Sequence, residues 1–353
     1  MIHQLQSDAL SLLKVLIETQ SFSSEEDQTA IHIENWLKQY QIPFKRENNN
    51  VWAINKHYDA SKPTLLLNSH HDTVQPNKAY TKDPFKAIEE ETKLYGLGSN
   101  DAGGCLVSLI ATFAYFYSKE NLNYNLVLVA SAEEESSGPN GLNSMLSIIP
   151  EIDVAIVGEP TLMQMAVAEK GLLVFDATVK GTPSHAAHPN PDNPIYKTAS
   201  VLKWFEDFKL EKTSNVLGPV KLTVTQINAG VQHNAVPSEV NLVVDVRVNE
   251  CYSNNEIVEL LQKKSPCDSI IPRSTRLNSS SIPLEHDLVK AGLRLGMTTY
   301  GSPTLSDQAC LTCPSVKLGP GDSTRSHSAD EFIYVDEVKK GIKTYIKLLE
   351  NVL

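Results

Sequence analysis

The sequence contains no apolar run long enough to cross a bilayer. A membrane-spanning helix needs about 20 mostly apolar residues, and no segment of this 353-residue chain approaches that length. The N-terminus has no basic segment followed by an apolar block, so we expect no signal peptide. Basic residues are also few, since 31 Lys and Arg stand against 42 Asp and Glu, for a net charge of -11. Nucleic acids and anionic membranes are bound by basic surfaces, so this balance argues against both as partners.

Cysteine is scarce and unpatterned. The five cysteines are odd in number and show no regular spacing. This usage is typical of reduced thiols and favours a cytoplasmic protein. Cys310 and Cys313 form a lone Cys-x-x-Cys without a second pair, which we interpret as structural rather than as a metal or redox site.

Two groups of enzyme fingerprints are missing. The glycine-rich stretch 94–104 contains Gly-x-Gly, but it lacks the third glycine of the dinucleotide motif and the Lys-Ser/Thr of a phosphate loop. The Gly-x-Ser-x-Gly elbow that a non-metal α/β hydrolase requires is also absent. The stretch does present one carboxylate, Asp101, on a glycine-rich loop just before a helix-like run at 105–117.

Apolar strands that end in acidic or imidazole residues organise the chain. The run 65–67 leads into His70, His71 and Asp72. Side chains two apart on a strand point to the same side, so His70 and Asp72 emerge together. Three further runs deliver such groups: 125–130 before Glu133, Glu134 and Glu135, 154–157 before Glu159, and 315–318 before His327. Each piece alone is explained by a solvated turn, but the joint pattern indicates a metal site.

The alternation of helix and strand signals predicts a three-layer α/β domain. Helical periodicity at 5–17 and 28–39 is followed by strand-like runs at 51–54 and 65–67. We interpret 23–26 as the capped entrance of the second helix. Ligands of such sheets lie outside the carboxyl ends of the strands, and His70 lies at such an end.

The pattern of predicted helices and strands changes near residue 166. Strands and helices at 172–180, 194–208, 221–228, 239–249 and 255–263 predict a small α+β unit with an open antiparallel sheet. After this unit the chain again shows the helix and strand signals of the α/β domain, and it ends with a helix at 336–349. We therefore expect a discontinuous catalytic domain, 1–166 and 273–353, interrupted by an inserted domain, 167–272.

The ordered motif set resembles the co-catalytic zinc amidohydrolases, a family that includes acetylornithine deacetylase, succinyl-diaminopimelate desuccinylase, aminoacylase and glutamate carboxypeptidase. The resemblance covers essentially the whole chain and is closest to the acetylornithine or succinylornithine deacetylase branch. It implies a three-layer mixed-sheet, zinc-peptidase-like domain with an inserted dimerisation or lid domain. The motifs that carry it are 69–74, 96–101, 133–135, 158–161, 184–189 and 319–327.

The resemblance implies a ligand set for two Zn²⁺ ions, with Co²⁺ or Mn²⁺ as alternatives. His70, Asp101 and Glu159 would hold one ion, and Asp101, Glu135 and His327 the other. Asp101 would bridge the ions, and Asp72 would orient His70. Mixed histidine and carboxylate ligation with open positions suits a catalytic zinc pair. In this family the peptide bond after the bridging aspartate, here Asp101-Ala102, is often cis.

Glu134 is the candidate general base. Adjacent residues at a strand end point in different directions, so Glu135 can bind metal while Glu134 faces the water between the zinc ions. Glu134 would take the proton of that water as it attacks the amide carbon and then pass it to the leaving amine. This chain has Glu133 where members of the family commonly have Asp.

The substrate contacts are also implied by the resemblance. His185 matches a histidine that reaches across a dimer to the tetrahedral oxyanion, and Asn234 and Arg247 match substrate-contacting positions. Arg325 is a second candidate clamp for an α-carboxylate, which the planar fork of arginine binds through both oxygens. Each of these side chains could equally serve in a surface or interface contact.

These expectations combine into a cytoplasmic, dimeric zinc hydrolase that removes the acyl group from an N-acyl amino acid. Acetylornithine, in arginine biosynthesis, is the first substrate we expect. Succinylornithine, acetylcitrulline, succinyl-diaminopimelate and dipeptides remain open, because pocket contacts of about 1–3 kcal/mol separate such analogues. A metal-binding scaffold without turnover is the non-enzyme alternative.

Overall fold

The computed structural model describes all residues, 1–353. It contains eight α-helices: α1 Ile2–Ile17, α2 Asp27–Gln39, α3 Gly104–Phe116, α4 Leu142–Met145, α5 Pro194–Asp207, α6 Asn254–Lys264, α7 Asp287–Arg294 and α8 Val335–Glu350. Its strands are β1 Lys45–Glu47, β2 Asn50–Ile54, β3 Thr64–His70, β4 Ile88–Glu90, β5 Lys93–Tyr95, β6 Asn125–Ser131, β7 Val154–Val157, β8 Met165–Glu169, β9 Gly171–Lys180, β10 Ser184–His185, β11 Lys221–Ala229, β12 Ala235–Val236, β13 Glu239–Val248, β14 Ser269–Pro272, β15 Ser280–Ser281, β16 Thr299–Ser302, β17 Ser315–Lys317 and β18 Phe332–Tyr334.

A mixed sheet forms the centre of the first compact unit, which comprises Met1–Val167, Ser281–Tyr300 and Ser306–Leu353. Its strand order is β1-β2-β6-β3-β7-β17-β8, with β15 and β16 beside β8. Strands β6, β3, β7 and β17 run parallel to one another, whereas β1, β2 and β8 are antiparallel to their neighbours. The carboxyl ends of β3, β6 and β7 therefore meet at one edge of the sheet.

Both faces of this sheet are covered. Leu65 and Leu67 of β3 pack in a core with α1, α3 and α8, while Leu66 packs on the opposite face with Leu142 and Met145 of α4. Alternate side chains of a strand enter opposite cores, so the part of β3 between these cores is the continuous apolar run 65–67. This arrangement confirms the predicted three-layer α/β fold class.

The second compact unit comprises Ala168–Ser280 and Gly301–Leu305. Its antiparallel sheet has the order β11-β13-β9-β14. The inward residues of β9, such as Leu173 and Phe175, pack with side chains of α5 and α6 on one face. Ser253 and Glu256 form a capping box at the start of α6, which fixes that helix end. This sheet and its helices form the α+β unit with an open antiparallel sheet that the sequence predicts.

Some local expectations differ from the structure. Helix α2 begins at Asp27, and its N-cap Glu26 makes no side-chain capping hydrogen bond, so the interpretation of 23–26 as a capped entrance was wrong. A three-stranded sheet of β18, β5 and β4 was not predicted, because these strands are only three residues long. The first segment of the second unit runs to Ser280, beyond the expected boundary at 272, and Leu277 within this extension accepts a hydrogen bond from Leu172 beside β9.

Two expected absences can be compared with the structure. None of the eight α-helices combines the length and apolar character that a membrane crossing requires. None of the five cysteines, including Cys310 and Cys313 of the Cys-x-x-Cys segment, forms a disulfide.

Candidate dinuclear metal centre

The register of the parallel strands brings the candidate ligands together. His70 at the end of β3 is level with Ser131 at the end of β6, and Asn68 is level with Val157 at the end of β7. The segments that follow these three strands therefore leave the sheet side by side. They carry the expected groups: Asp72 after β3, Glu133, Glu134 and Glu135 after β6, and Glu159 after β7.

His70 presents a buried nitrogen that has no hydrogen-bond partner. Its Nδ1 lies 3.0 Å from the carbonyl oxygen of Asp72, which can only accept, so Nδ1 carries the proton. In the neutral ring the lone pair is then on Nε2, which is buried without a partner. Nε2 lies 3.5 Å from Asp101 Oδ1 and 3.8 Å from Glu159 Oε1. An orphaned imidazole nitrogen facing two carboxylates fits a metal cation.

Asp101 faces a second histidine with its other oxygen. It lies in the turn Ser99–Gly103 with a non-helical backbone, φ -116° and ψ 97°, and the peptide bond to Ala102 is cis, as expected. Its Oδ2 is 3.6 Å from His327 Nε2. His327 Nε2 is also 3.0 Å from Glu135 Oε2. Two sets of possible ligand atoms thus share Asp101: His70, Asp101 and Glu159, and Asp101, Glu135 and His327.

The electrostatics of these groups favour a bound cation. Burial raises the pKa of Glu159 to about 8, and Asp101 adds to that rise. Burial lowers the pKa of His70, but the carboxylates of Asp101 and Asp72 outweigh it and leave that pKa well above its ordinary value. The bond to Glu135 raises the pKa of His327 to about 9. Carboxylates this close repel one another, and a divalent cation would relieve that repulsion.

Glu134 lies beside the two ligand sets without belonging to either. Its Oε2 is 4.0 Å from His70 Nε2, and its carboxylate accepts no hydrogen bond from the protein. Burial raises the pKa of Glu134 well above its ordinary value, with Glu159 and Asp307 contributing. A partly exposed carboxylate with a raised pKa next to a metal site is suited to accept and return a proton.

Comparison with known proteins places this site in a family. Residues 66–351 match the family described as peptidase family M20/M25/M40. The chain belongs to this family. It is accordingly a hydrolase of the peptidase and amidohydrolase type, and the resemblance drawn from its motifs is confirmed at the level of the M20 family.

Individual relatives span almost the whole chain. The chain is 25% identical over 376 residues to succinyl-diaminopimelate desuccinylase of Rickettsia bellii, covering 97% of this chain and 96% of the relative. It is 28% identical over 360 residues to acetylornithine deacetylase of Buchnera aphidicola, covering 96% and 91%. A Bacillus subtilis structure described as a dinuclear metal binding peptidase of the M20 family matches with a TM-score of 0.75 at 14% identity, covering 99% and 98%. That structural likeness supports the fold alone.

Asp72 holds more than the histidine it was expected to orient. Its carboxylate Oδ1 is 3.4 Å from His70 Nδ1, farther than its own backbone carbonyl. The two carboxylate oxygens instead accept the backbone N–H groups of Glu134, at 3.1 Å, and Glu135, at 3.0 Å. Ser23 Oγ donates to Oδ2 at 2.7 Å. Asp72 therefore fixes the segment that carries the candidate base and one candidate ligand.

A second buried carboxylate, Glu26, which the sequence analysis did not single out, also holds this segment. Glu26 is fully buried, and its Oε1 accepts the backbone N–H groups of Ser24 and Glu133. Glu133 has a left-handed backbone, with φ of 54°, and its side chain bonds Ser24 and Asn140. Glu133 thus builds the turn and stays away from the ligand sets. The four polar residues 23–26 were the available signal, but they resemble a helix start.

Two of the expected substrate contacts lie together in the second unit. His185 of β10 pairs with Ala235 of β12, and Ala186 N donates to Asn234 O at 2.9 Å. Arg247 of β13 lies apart from them and binds Asp245 through Nε and Nη2, at 2.9 and 3.1 Å.

Arg325, in the first unit, is held by a carboxylate of the protein. Its Nη1 and Nη2 donate to Glu337 at 2.7 and 3.0 Å. Its guanidinium also lies over the rings of Phe332 and Tyr334, 4.9 and 5.0 Å from their centroids. The planar fork that would clamp a substrate is already engaged.

Proposed function

We propose that this chain hydrolyses the amide bond of an N-acyl amino acid at a dinuclear metal centre. The orientation of Asp101 carries this proposal. One of its carboxylate oxygens is 3.5 Å from His70 Nε2 and the other is 3.6 Å from His327 Nε2. A carboxylate that faces two ligand sets in this way suits a ligand shared by two cations. Membership of the M20 family supports the same reading.

The residues at the site fit two Zn²⁺ ions, with Co²⁺ or Mn²⁺ as alternatives. His70 and Glu159 would complete one site with Asp101, and Glu135 and His327 would complete the other. Imidazole and carboxylate ligands accept all three metals, so cellular supply decides among them. Two bound cations would supply the Lewis acidity that polarises the amide carbonyl and lowers the pKa of water.

Glu134 moves the protons in this proposal. Its carboxylate is unbonded by the protein, so it can accept the proton of the attacking water. The protonated side chain then donates to the amine as the amide bond breaks. Asp72 positions the base, because it binds the backbone N–H of Glu134.

Acetylornithine is the substrate we propose first. The 28% identity to the acetylornithine deacetylase of Buchnera aphidicola supports this proposal, while the 25% identity to the succinyl-diaminopimelate desuccinylase of Rickettsia bellii supports succinyl-diaminopimelate. Succinyl-diaminopimelate is therefore the direct competitor, and succinylornithine, acetylcitrulline and dipeptides follow. A cytoplasmic role in arginine biosynthesis stays a prediction that depends on the acetylornithine assignment.

The second unit would supply contacts to the substrate. We propose that Arg247 binds its α-carboxylate, because Nη1 remains free of the pair with Asp245. His185 and Asn234 would bind the acyl oxygen and the amino-acid part. Arg325 is better explained by its pair with Glu337.

A homodimer remains part of the proposal. Strand β11 is an edge of the sheet of the second unit, and residues 225–235 along and beyond it are exposed, including Ile227 and Val231. A long edge with exposed apolar side chains invites pairing with another strand. Sedimentation equilibrium tests this expectation, and a strictly monomeric protein across micromolar concentrations would refute it.

The deciding experiment measures amine release by zinc-reconstituted protein on acetylornithine, succinylornithine, acetylcitrulline, succinyl-diaminopimelate and an uncharged dipeptide. We expect turnover that a chelator abolishes and that strongly prefers one substrate. Glu134→Gln should keep both metals while turnover falls roughly 10²–10⁴-fold. Glu89→Gln, which removes only a surface ion pair with Lys14, is the matched control.

Two outcomes would count against the proposal. An active Glu134→Gln variant would remove the assigned base. Two bound metals without turnover on any substrate of the panel would favour the scaffold alternative.

A further inference from the structure

A buried carboxylate four residues after His327 grips the loop that carries Asp101. Glu331 is 1% exposed. Its Oε1 accepts the backbone N–H groups of Asn100, at 2.8 Å, and Asp101, at 2.9 Å, and its Oε2 accepts that of Gly98, at 3.2 Å. Both oxygens of one side chain are therefore committed to the backbone of a single loop.

The loop that carries Asp101 is also held by Asp322, which precedes His327 in the chain. Asn100 Nδ2 donates to the carbonyl of Asp322 at 3.1 Å, and the N–H of Asp322 donates back to Asn100 Oδ1 at 3.0 Å. Asp322 and Glu331 flank His327 in the chain, so the segment that carries one histidine binds the loop of the shared aspartate at both ends. The position of Asp101 relative to His327 thus depends on these contacts.

We propose that Glu331 is a positioning residue of the metal centre, which sets the place and orientation of Asp101 through the backbone of residues 98–101. This inference rests on the proposed function, because it assumes that Asp101 is the ligand shared by two metals. Glu331 supplies no ligand atom to either set, and its side chain acts by holding the backbone of the loop that presents Asp101.

The neighbouring Asp330 provides a matched comparison. Its carboxylate accepts the backbone N–H groups of Thr81 and Lys82, at 2.8 and 2.9 Å, and the Thr81 hydroxyl. It therefore makes the same type of contact from the adjacent position, but to a loop without ligands. Asp330→Asn removes one negative charge and one loop contact without touching residues 98–101.

The geometry predicts different effects for two substitutions of Glu331. In Glu331→Gln the amide nitrogen cannot accept the N–H of Gly98, so at least one bond is lost and two donors face each other. Glu331→Asp keeps the charge, but its shorter side chain cannot reach all three N–H groups. A pure charge effect would leave Glu331→Asp like the unsubstituted protein, whereas a positioning effect would impair both variants.

The test is metal binding by metal-free protein, measured by competition with a chromogenic chelator and by the visible spectrum of the Co²⁺ form. We expect Glu331→Gln and Glu331→Asp to lose roughly 10–100-fold in affinity for at least one ion and to show altered Co²⁺ spectra. Asp330→Asn should match the unsubstituted protein in both readouts. On the preferred substrate, kcat should fall while KM changes little.

Unchanged affinity and spectrum in Glu331→Gln would overturn the inference, as would a normal Glu331→Asp. If either variant fails to fold, hydrogen exchange of the unsubstituted metal-free protein decides instead. The amides of residues 98, 100 and 101 should be protected, and rapid exchange there would overturn the inference. The proposed function is judged separately, by turnover of the unsubstituted protein on the substrate panel.

Discussion

The carboxylate of Asp72 accepts a hydrogen bond from the backbone N–H of Glu135, with Oδ2 and N 3.0 Å apart. The aspartate two residues after the candidate ligand His70 thus fixes the segment that follows β6. Strands β3 and β6 are neighbours in the sheet, and the side chain that follows β3 binds the backbone that follows β6. The candidate ligands of both metals therefore depend on one another through Asp72.

Asp72→Asn should weaken metal binding and lower kcat, each by roughly 10–100-fold. The amide nitrogen of asparagine cannot accept the N–H of Glu134 or Glu135, so the acidic segment loses an anchor. Asp59→Asn is the matched control, because the carboxylate of Asp59 binds an exposed turn at Ser61, away from the candidate ligands. Metal titration and steady-state kinetics measure the effect, and an Asp72→Asn variant with normal affinity would contradict this account.

Arg325 and Glu337 should behave as one structural unit. A bidentate pair that is largely shielded from solvent should give a coupling energy of about 1–2 kcal/mol in a double-mutant cycle of Arg325→Ala and Glu337→Ala, read from urea unfolding. The two single variants should change KM to a similar extent. A rise in KM confined to Arg325→Ala would restore its interpretation as a substrate clamp.

Asp307 should make stability depend on pH. It is buried, it accepts a hydrogen bond from Ser131 Oγ at 2.5 Å, and burial raises its pKa from 3.8 to about 6. As the pH rises, the unfolded chain releases this proton near pH 3.8, whereas the folded protein retains it until about pH 6. The free energy of unfolding therefore falls across this window, by about 3 kcal/mol at most, and does not change further above it.

The comparison variant for that prediction is Asp307→Asn. Asparagine does not titrate, so the stability of the variant relative to the unsubstituted protein should rise between about pH 4 and 6 and then level off. Urea unfolding at several pH values measures this difference. A difference that stays constant with pH would show that Asp307 titrates normally.

Gly98 should tolerate alanine less well than Gly296. Both glycines have a left-handed backbone, with φ of 74° and 83°. A Cβ at Gly98 would lie 2.6 Å from Thr73 Cγ2, whereas nothing lies within 4 Å of one at Gly296. Gly296→Ala should cost about 1 kcal/mol from backbone conformation, and Gly98→Ala about 1–3 kcal/mol more from overpacking. Equal losses in thermal unfolding would contradict this account.

Much of the fold could be predicted from the sequence because its long elements carry strong local patterns. The run 65–67 is apolar because β3 is buried on both faces, and the observed strand β7 coincides with the predicted 154–157. The short strands β4, β5 and β18 could not be predicted, since three residues carry no periodicity and the pairing of β18 with β5 joins segments over 200 residues apart.

The sequence by itself determined which side chains could meet, because each candidate ligand follows an apolar strand or a glycine-rich turn, and parallel strands end at a common edge. Only the tertiary structure decided what each acidic residue does there. Glu26, Glu133, Asp307 and Glu331 are carboxylates like the candidate ligands, but backbone N–H groups or hydroxyls of distant segments bind them. A carboxylate binds whichever hydrogen-bond donors the folded chain places beside it. The order of residues in the chain does not specify which donors these are.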